Sequence, residues 1–550
     1  MIKHQLNAID RNEQLEGMMH SKYDLLVIGG GITGSGIALD AASRGLKVAL
    51  VEMGDFASGT SSSSTKLIHG GLRYLKQFEI ALVRETGKER AVVHKLAPHL
   101  VSPEKMLLPL IKDGTYGKIL TSMGLMVYDI LAGVEKPDQR RMLDEEETLA
   151  LEPLLRDDIV EGGGLYAEYR TDDSRLTIEV LKTAARHGAD VINYVKATDF
   201  LYEEGKITGI NCEDTLAGKT FTLRGDIVVS AAGPWVDELR GKNNSLSGRH
   251  LYLTKGVHIV FDHSRFPIKQ AVYFDVPDGR MIFAIPRGEV TYVGTTDTPY
   301  EGDKSEVGTD LEDVDYLLEG VNNTFPTVKL TREDVISSWA GLRPLIYEEG
   351  KSASEISRKD EIFESDTGLI SIAGGKLTGY RMMARRVVDK VTERLRKQYD
   401  RSYEPCTTEH IVLEGGSFSG AKEVASYTQE LELHVMDKQL QAYRARYLVS
   451  NYGRRAEKIL ERMEEYESED AEVALARAEL WFCVHYEMVH SVLDFIDRRS
   501  GRLYFDIHSI EALIPTLVSD MSEYFDWPAE KMDEESRRLV DALHAVSHFE

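Results

Sequence analysis

The sequence has little cysteine, no long apolar stretch and a shortage of positive charge. Its three cysteines, Cys212, Cys406 and Cys483, stand far apart with no CxxC spacing, which argues against a disulfide framework or a zinc cluster and fits a reducing compartment. No window reaches the roughly 18 uninterrupted apolar residues of a spanning helix. The opening stretch, MIKHQLNAIDRNEQLEGMMHSK, lacks a continuous apolar run and reads as a polar leader over residues 1–22 rather than a signal peptide. Lys and Arg total 66 against 91 Asp and Glu, a formal charge of -25, which excludes general attraction to nucleic acid or anionic lipid. Any anion site must therefore be built locally.

At 550 residues the chain is too long for one core, and about 150 residues per domain suggests two to four. Tyr23 to Glu52, YDLLVIGGGITGSGIALDAASRGLKVALVE, reads as a complete βαβ unit: strand Leu25–Ile28, turn Gly29–Gly34, helix Ser35–Arg44 and strand Lys47–Val51. A helical pattern follows from Ala81 to Lys95. Residues 174–232 repeat the α/β logic with helix SRLTIEVLKTAARHG, one long strand region ADVINYVKATDFLYEEGKITGINCED and the apolar run DIVVSAAGPW. Between Leu251 and Pro299, alternating strands broken at Asp278-Gly279 and Arg287-Gly288 suggest an inserted antiparallel sheet. The α/β register returns in TGLISIAGGKLTGYRMMARRVVDKVTERL, and from about residue 405 the chain is helical and charge-rich. The fold class expected is α/β: a discontinuous Rossmann-like nucleotide domain (about 23–80, 160–250 and 345–400), a mixed antiparallel-sheet substrate region (about 81–159 and 251–344) and a helical C-terminal domain (401–550).

Within GGGITG, Gly29, Gly31 and Gly34 form G-x-G-x-x-G, which permits a tight turn, close approach to a pyrophosphate and helix-to-strand packing. Glu52 ends the second strand, where a carboxylate accepts from ribose hydroxyls. A fingerprint at the N-terminus of so long a chain favours FAD over NAD, because a flavin needs enclosure by distant segments, here the strand ending at Gly233 and the turn Gly374-Gly375. The run ASGTSSSSTKLIHGGLRYLK, residues 57–76, is either a flexible linker or a polar wall following the cofactor, and its place between an intact βαβ unit and a helix favours the wall.

The motifs SGTSSSSTKLIHGGLRYL, SAAGPWVD, KGVHIV, VGTTDT, GLRPL, SRKDEI and IAGGKLTGYR follow the βαβ unit in one order. From about residue 20 to 400 the chain resembles the FAD-dependent glycerol-3-phosphate dehydrogenases of the D-amino-acid-oxidase-like flavoprotein superfamily, and its helical tail fits that family's C-terminal domain. The resemblance implies an FAD site formed by Gly29, Gly31, Ile32, Thr33, Gly34, Glu52, Ser61, Ser62, Ser63, Ser64, Thr65, Lys66, His69, Gly70, Val195, Gly233, Trp235, Gly375, Leu377 and Thr378. It places Arg343, Arg358 and Lys376 at the anion end of glycerol 3-phosphate, Arg73 and Tyr74 closing the pocket, and His258, Thr296 and Asp297 beside the reacting carbon. Guanidinium groups suit a phosphate's bidentate geometry, and a histidine near its ordinary pKa of about 6.5 can take the hydroxyl proton. Asp297 is the alternative, orienting His258 or serving in its place.

Hydride transfer from C2 to FAD would give dihydroxyacetone phosphate, with quinone as the next acceptor. The rival readings are an oxidase that reduces oxygen to peroxide, a non-catalytic FAD-binding redox sensor and an amino-acid oxidase of the same superfamily. Segment Ile119–Val134, apolar on one broad face, is either a packed helix or an interfacial one; the resemblance favours the latter, with a cytoplasmic protein lying peripherally on the inner face of the membrane. No metal is expected: Glu487 and His490 form a lone E-x-x-H, and a di-iron bundle requires two. Oligomeric state stays open, a homodimer included.

Overall fold

Short apolar runs that end at glycine turns are the signature of parallel strands covered on both faces, and the first sheet is built from them. The computed structural model describes residues 6–69, 80–112, 114, 139–347, 359–466 and 469–549. In sheet order the strands are Asp360–Glu364, Ile370–Gly374, Lys219–Ser230, Lys22–Ile28, Val48–Val51 and Asp190–Ile192. The last five run parallel, and every residue of Val48–Val51 is buried. Helix Ile32–Ser43 packs between helices Asp173–Arg186 and Tyr380–Tyr399, and Gly36 lets Tyr380 and Ala384 approach. The helix of the βαβ unit begins at Ile32 with Gly31 as N-cap, so it starts inside the turn expected for Gly29–Gly34. The long strand region after Ala189 is three strands, Asp190–Ile192, Val195–Glu203 and Lys206–Asp214, because Tyr194 and Glu204 turn the chain with positive φ.

The second sheet is largely antiparallel. Leu251–Asp262 pairs with Val335–Ile346 on one side and Val290–Gly294 on the other; Met281–Arg287, Ala271–Asp275, Ser102–Ile111 and Val160–Arg170 follow. One parallel pair, Ala271–Asp275 with Ser102–Ile111, makes it mixed. Since side chains alternate between faces, Val257, Ile259 and Phe261 enter a core with helix Leu311–Thr324, while Val260, Tyr292 and Trp339 form a second cluster on the opposite face. The nucleotide half resumes at helix Asp173–Arg186.

Helices between Ala421 and Ser547 enclose a core of their own. Their seam with the nucleotide half is ionic: Arg175 grips Glu487 at 2.5 and 2.8 Å and Glu179 at 2.7 Å, and Lys182 bonds both carboxylates at 3.0 Å. Glu487 of the E-x-x-H pair is thus an ion-pair residue, and His490 stands edge-on to Tyr194 at 5.8 Å. Among the described residues no cluster could hold a metal ion, and no helix is long and apolar enough to cross a membrane. The expected leader is folded from Leu6 onward, with Arg11 paired to Asp214 at 3.0 and 3.1 Å. Segment 119–134 lies outside the described residues.

Burial pushes the pKa of both His99 and His490 down to about 3, with the field of Arg175 and Lys182 adding at His99 and of Arg11 at His490. Both stay neutral in the fold, so the unfolded chain binds more protons below about pH 6.5 and stability falls with pH. The expected loss is about 1.4 kcal/mol per histidine for each unit below that pH. His99→Gln should lose one such share, read as a smaller drop in Tm between pH 7 and 5.5 than the unaltered protein shows.

Candidate functional site

Strands Lys22–Ile28, Val48–Val51, Lys219–Ser230 and Ile370–Gly374 all end on one edge of the parallel sheet, where a doubly wound fold binds its ligand. A cavity of about 510 Å³ opens there, lined by Gly29, Gly31, Ile32, Thr33, Glu52, Ser61, Val195, Gly233, Trp235, Gly375, Lys376 and Leu377 among others. That volume is in the roughly 300–1,000 Å³ range of cofactor sites. Gly29 takes φ 115°, and a Cβ there would lie 2.5 Å from Ala231 O. A Cβ on Gly34 would overlap Gly29 O, so this glycine shapes the turn from behind without lining the cavity. The N-cap of helix Ile32–Ser43 is Gly31, which has no side chain to close the helix end, and Gly31, Ile32 and Thr33 present that positive end to the cavity, where it suits a phosphate. The half-buried Glu52 accepts from Gly30 N–H at 2.6 Å and Gly54 N–H at 3.0 Å; burial raises its pKa, and these N–H bonds oppose the rise. Glycine cradle, helix N-terminus and the Glu52 carboxylate together fit FAD.

The hydroxyl run joins this cavity to the second sheet. Ser61 Oγ accepts from Ile32 N–H at 2.9 Å, Thr60 donates to Leu342 O at 2.7 Å, and Thr65 Oγ1 lies 3.0 Å from His258 Nε2. The linker alternative fails on these bonds. Three strand glycines make the room: a Cβ on Gly341 would overlap Ser63, one on Gly294 the His258 ring, and one on Gly256 the Arg343 guanidinium. Thr254 pairs with Arg343, Gly256 with Gly341 and His258 with Trp339, so Arg343 and His258 stand on one face, four residues apart in register. Arg343 donates to Thr295 Oγ1 at 2.8 Å, Thr296 O at 3.0 Å and Asp297 Oδ1 at 3.1 Å. Thr296 is buried and accepts from Val257 N–H at 3.0 Å.

Several residues expected at the cofactor, Ser62 to Lys66, His69 and Thr378, are not in the lining of this cavity. Lys66 is buried against Asp173 at 2.6 Å and Ser62 O at 3.0 Å, so its charge is neutralised within the protein. Ser64 N–H binds Asp173 at 2.8 Å, and Trp339 Nε1 donates to Ser64 O at 3.1 Å. Ser62, Ser63, Ser64 and Thr65 thus support the wall, as do His69, edge-on to Phe283, and Thr378, which donates to His69 O at 3.3 Å. Their polarity serves the junction between sheets. Asp297 is brought to Arg343, and the hydroxyl meeting His258 belongs to Thr65. His258 also departs from the expected ordinary pKa. It is fully buried, stacked on Trp339 at 4.6 Å, and burial, then Arg343 and Lys66, hold it well below 6.5. Gly70, Arg73, Tyr74 and Arg358 lie outside the described residues.

Sequence reasoning missed the rim. Gly302–Ser305 and Lys242 line the cavity, and Lys304 pairs with Glu238 at 2.5 Å across it. No motif marks that loop. Thr60, the first hydroxyl of the run, also lines the cavity.

Residues 24–382 match the family described as FAD dependent oxidoreductase, and residues 406–532 the C-terminal domain of alpha-glycerophosphate oxidase. The chain is 50% identical over 547 residues to the aerobic glycerol-3-phosphate dehydrogenase of Bacillus subtilis, covering 99% of each. It is 48% identical over 546 residues to that of Staphylococcus aureus, covering 99% of this chain and 98% of the relative. The structure of glycerol-3-phosphate dehydrogenase from Bacillus halodurans complexed with FAD superposes with a TM-score of 0.84 at 44% identity, covering 98% of both chains. Glycine oxidase from Geobacillus kaustophilus, 20% identical with a TM-score of 0.53 over 68% of this chain and 95% of its own, shares the fold.

Two glycine substitutions should separate the cofactor cavity from the second-sheet face. Gly34→Ala is expected to weaken FAD binding at least about tenfold, read as lost visible flavin absorbance after gel filtration. Gly294→Ala displaces the His258 ring and should retain flavin while lowering turnover; equal flavin loss in both variants would contradict this division.

Proposed function

The chain belongs to the family of FAD dependent oxidoreductases, and we propose that it oxidises glycerol 3-phosphate to dihydroxyacetone phosphate and delivers the electrons to a quinone. The observation that carries this reading is the full-length identity to relatives named for that substrate. Bound FAD supplies the two-electron acceptor for hydride leaving C2.

The protein's own residues bind the anion and handle the proton. Arg343 enters the site with its orientation set by Thr295, Thr296 and Asp297, so little rotamer freedom is lost on meeting a phosphate. Lys376 adds positive charge at the cavity edge. Arg73, Tyr74 and Arg358 complete the pocket in this proposal. His258 is neutral before substrate binds because two cations and burial oppose its protonation. A phosphate dianion on Arg343 offsets part of that field, which makes the imidazole a better acceptor for the C2 hydroxyl proton once substrate is in place. Asp297 acts on Arg343, and Thr65 holds the His258 ring. A second reading, reduction of oxygen to peroxide, is favoured by the description of the matched C-terminal family.

Glycerol 3-phosphate added without oxygen should bleach the flavin, and glycine should not; no bleaching by glycerol 3-phosphate would remove the substrate assignment. A quinone analogue should then accelerate turnover. Stoichiometric peroxide in air, with no response to the quinone, would favour the oxidase.

Arg343→Ala should raise KM by about 100-fold with flavin content kept. Equal loss of flavin would show the residue misplaced. His258→Gln should lower kcat by about 100-fold or more and abolish the acid limb of kcat/KM. In the unaltered protein that limb lies below pH 6.5: a base with a lowered pKa is competent above it and fails only as pH falls towards it.

A further inference from the structure

Among the described residues, nothing in the helical C-terminal region lines the cofactor cavity, yet two of its arginines come close behind the wall. They lie in the five-residue π turn Phe495–Arg499. Arg499 makes a fork on Asp55, Nη1 to Oδ2 and Nη2 to Oδ1 both at 2.8 Å, and Arg498 Nε reaches Oδ2 at 2.7 Å. Asn193 donates to the other oxygen at 3.1 Å. Asp55 is buried and three residues beyond Glu52.

The segment between those carboxylates is tied at both ends. Val195 N–H binds Glu52 O at 2.7 Å, Tyr194 N–H binds Gly54 O at 3.0 Å, and Ala57 N–H binds Gly30 O at 3.1 Å. Tyr194 OH meets Asp494 at 2.7 Å, and Arg498 Nη2 meets the same oxygen at 3.0 Å, so the circuit closes on the π turn. Ala57 is held at φ 63°, a left-handed conformation a non-glycine residue adopts when its surroundings impose it. Glu52, Met53 and Ser58 line the cavity.

We propose that Arg498 and Arg499 are positioning residues for FAD: by gripping Asp55 from the far side, they fix the segment Glu52–Ser58 and hold the Glu52 carboxylate where the cofactor's ribose meets it. The helical region thereby acts on the cofactor site without touching it. The inference rests on the FAD site described above and is independent of the substrate.

Charge gives the assignment a signature. Asp55 faces Arg498, Arg499, Asp494 and Tyr194, with Glu487 behind Arg499. Glu52 faces the N–H groups of Gly30 and Gly54, with Lys196 elsewhere in the cavity lining; the negative charge of Asp55 adds to burial in raising its pKa. The ionised carboxylate accepts from ribose hydroxyls, so FAD is held above that pKa and released as pH falls through it. Removing one arginine leaves Asp55 less compensated, makes Glu52 harder to ionise and moves release to higher pH. Asp55→Asn removes the anion itself and moves release to lower pH, although the grip is also lost.

The test uses full-length holoenzyme without substrate, following recovered FAD fluorescence on dilution across pH, with circular dichroism to monitor folding. Arg498→Gln and Arg499→Gln should bind FAD about tenfold more weakly at neutral pH and release it at higher pH than the unaltered protein. Asp55→Asn should shift release the opposite way, whereas a merely loosened fold would shift all three upward. Arg499→Lys keeps the charge and loses the fork, so its affinity should fall with little change in release midpoint. Unchanged affinity in both glutamine variants, or shifts of the same sign in all three, overturns the proposal. If Asp55→Asn does not fold, the Arg499 pair decides: a midpoint moved in Gln and not in Lys supports it, and equal midpoints overturn it.

Discussion

The hydrogen bonds of one hydroxyl run hold the two sheets in register with each other. Ser61 satisfies the first N–H of the nucleotide-binding helix, Thr60 binds the backbone beside Arg343, and Thr65 reaches His258. Six consecutive Ser and Thr residues would gain little from burial alone. They belong between two polar surfaces because short hydroxyl side chains can satisfy groups on both sides without adding volume. The distance between the cofactor cavity and the Arg343–His258 face is therefore fixed by a segment that is itself pinned at each end.

Electrostatics then separates charges cancelled within an ion pair from charges whose field reaches a further neighbour. Lys66, which looked available in the sequence, is cancelled by Asp173. Arg343 is oriented by Thr295 Oγ1, Thr296 O and the Asp297 carboxylate, and its field acts on His258. That field, together with burial, keeps His258 neutral. At the seam with the helical region, Arg175, Lys182 and Glu487 are paired and buried. Such pairs add little net stability over apolar packing, but breaking one is costly, which makes them selective for one docking arrangement.

The parts of this architecture legible in the sequence are those whose cause is local. GGGITG with Glu52, the turn at Gly233 just beyond strand Lys219–Ser230, and the turn Gly374-Gly375 each carry their reason within a few residues, and all reach the same cavity edge. KGVHIV could be assigned to a strand from alternation, but not to a position facing GLRPL. Gly256, Gly294 and Gly341 acquire meaning only through pairing with residues far along the chain, and a register is not written in either strand alone. The same limit hid the partner of Lys66, the depressed pKa of His258 and the rim loop Gly302–Ser305. Each depends on what folding brings near, whereas the helix start at Ile32 was missed because a glycine N-cap carries no side-chain signal.

The strand and turn glycines have a consequence for how the site can vary. Gly31 stands against Ser61, Gly341 against Ser63, Gly294 against His258 and Gly256 against Arg343, with no space for a Cβ at the last three. A side chain at Gly341, Gly294 or Gly256 displaces Ser63, His258 or Arg343. Substitution is admissible only as a joint change of both members, so homologous sequences with a different site chemistry should differ from this one in pairs.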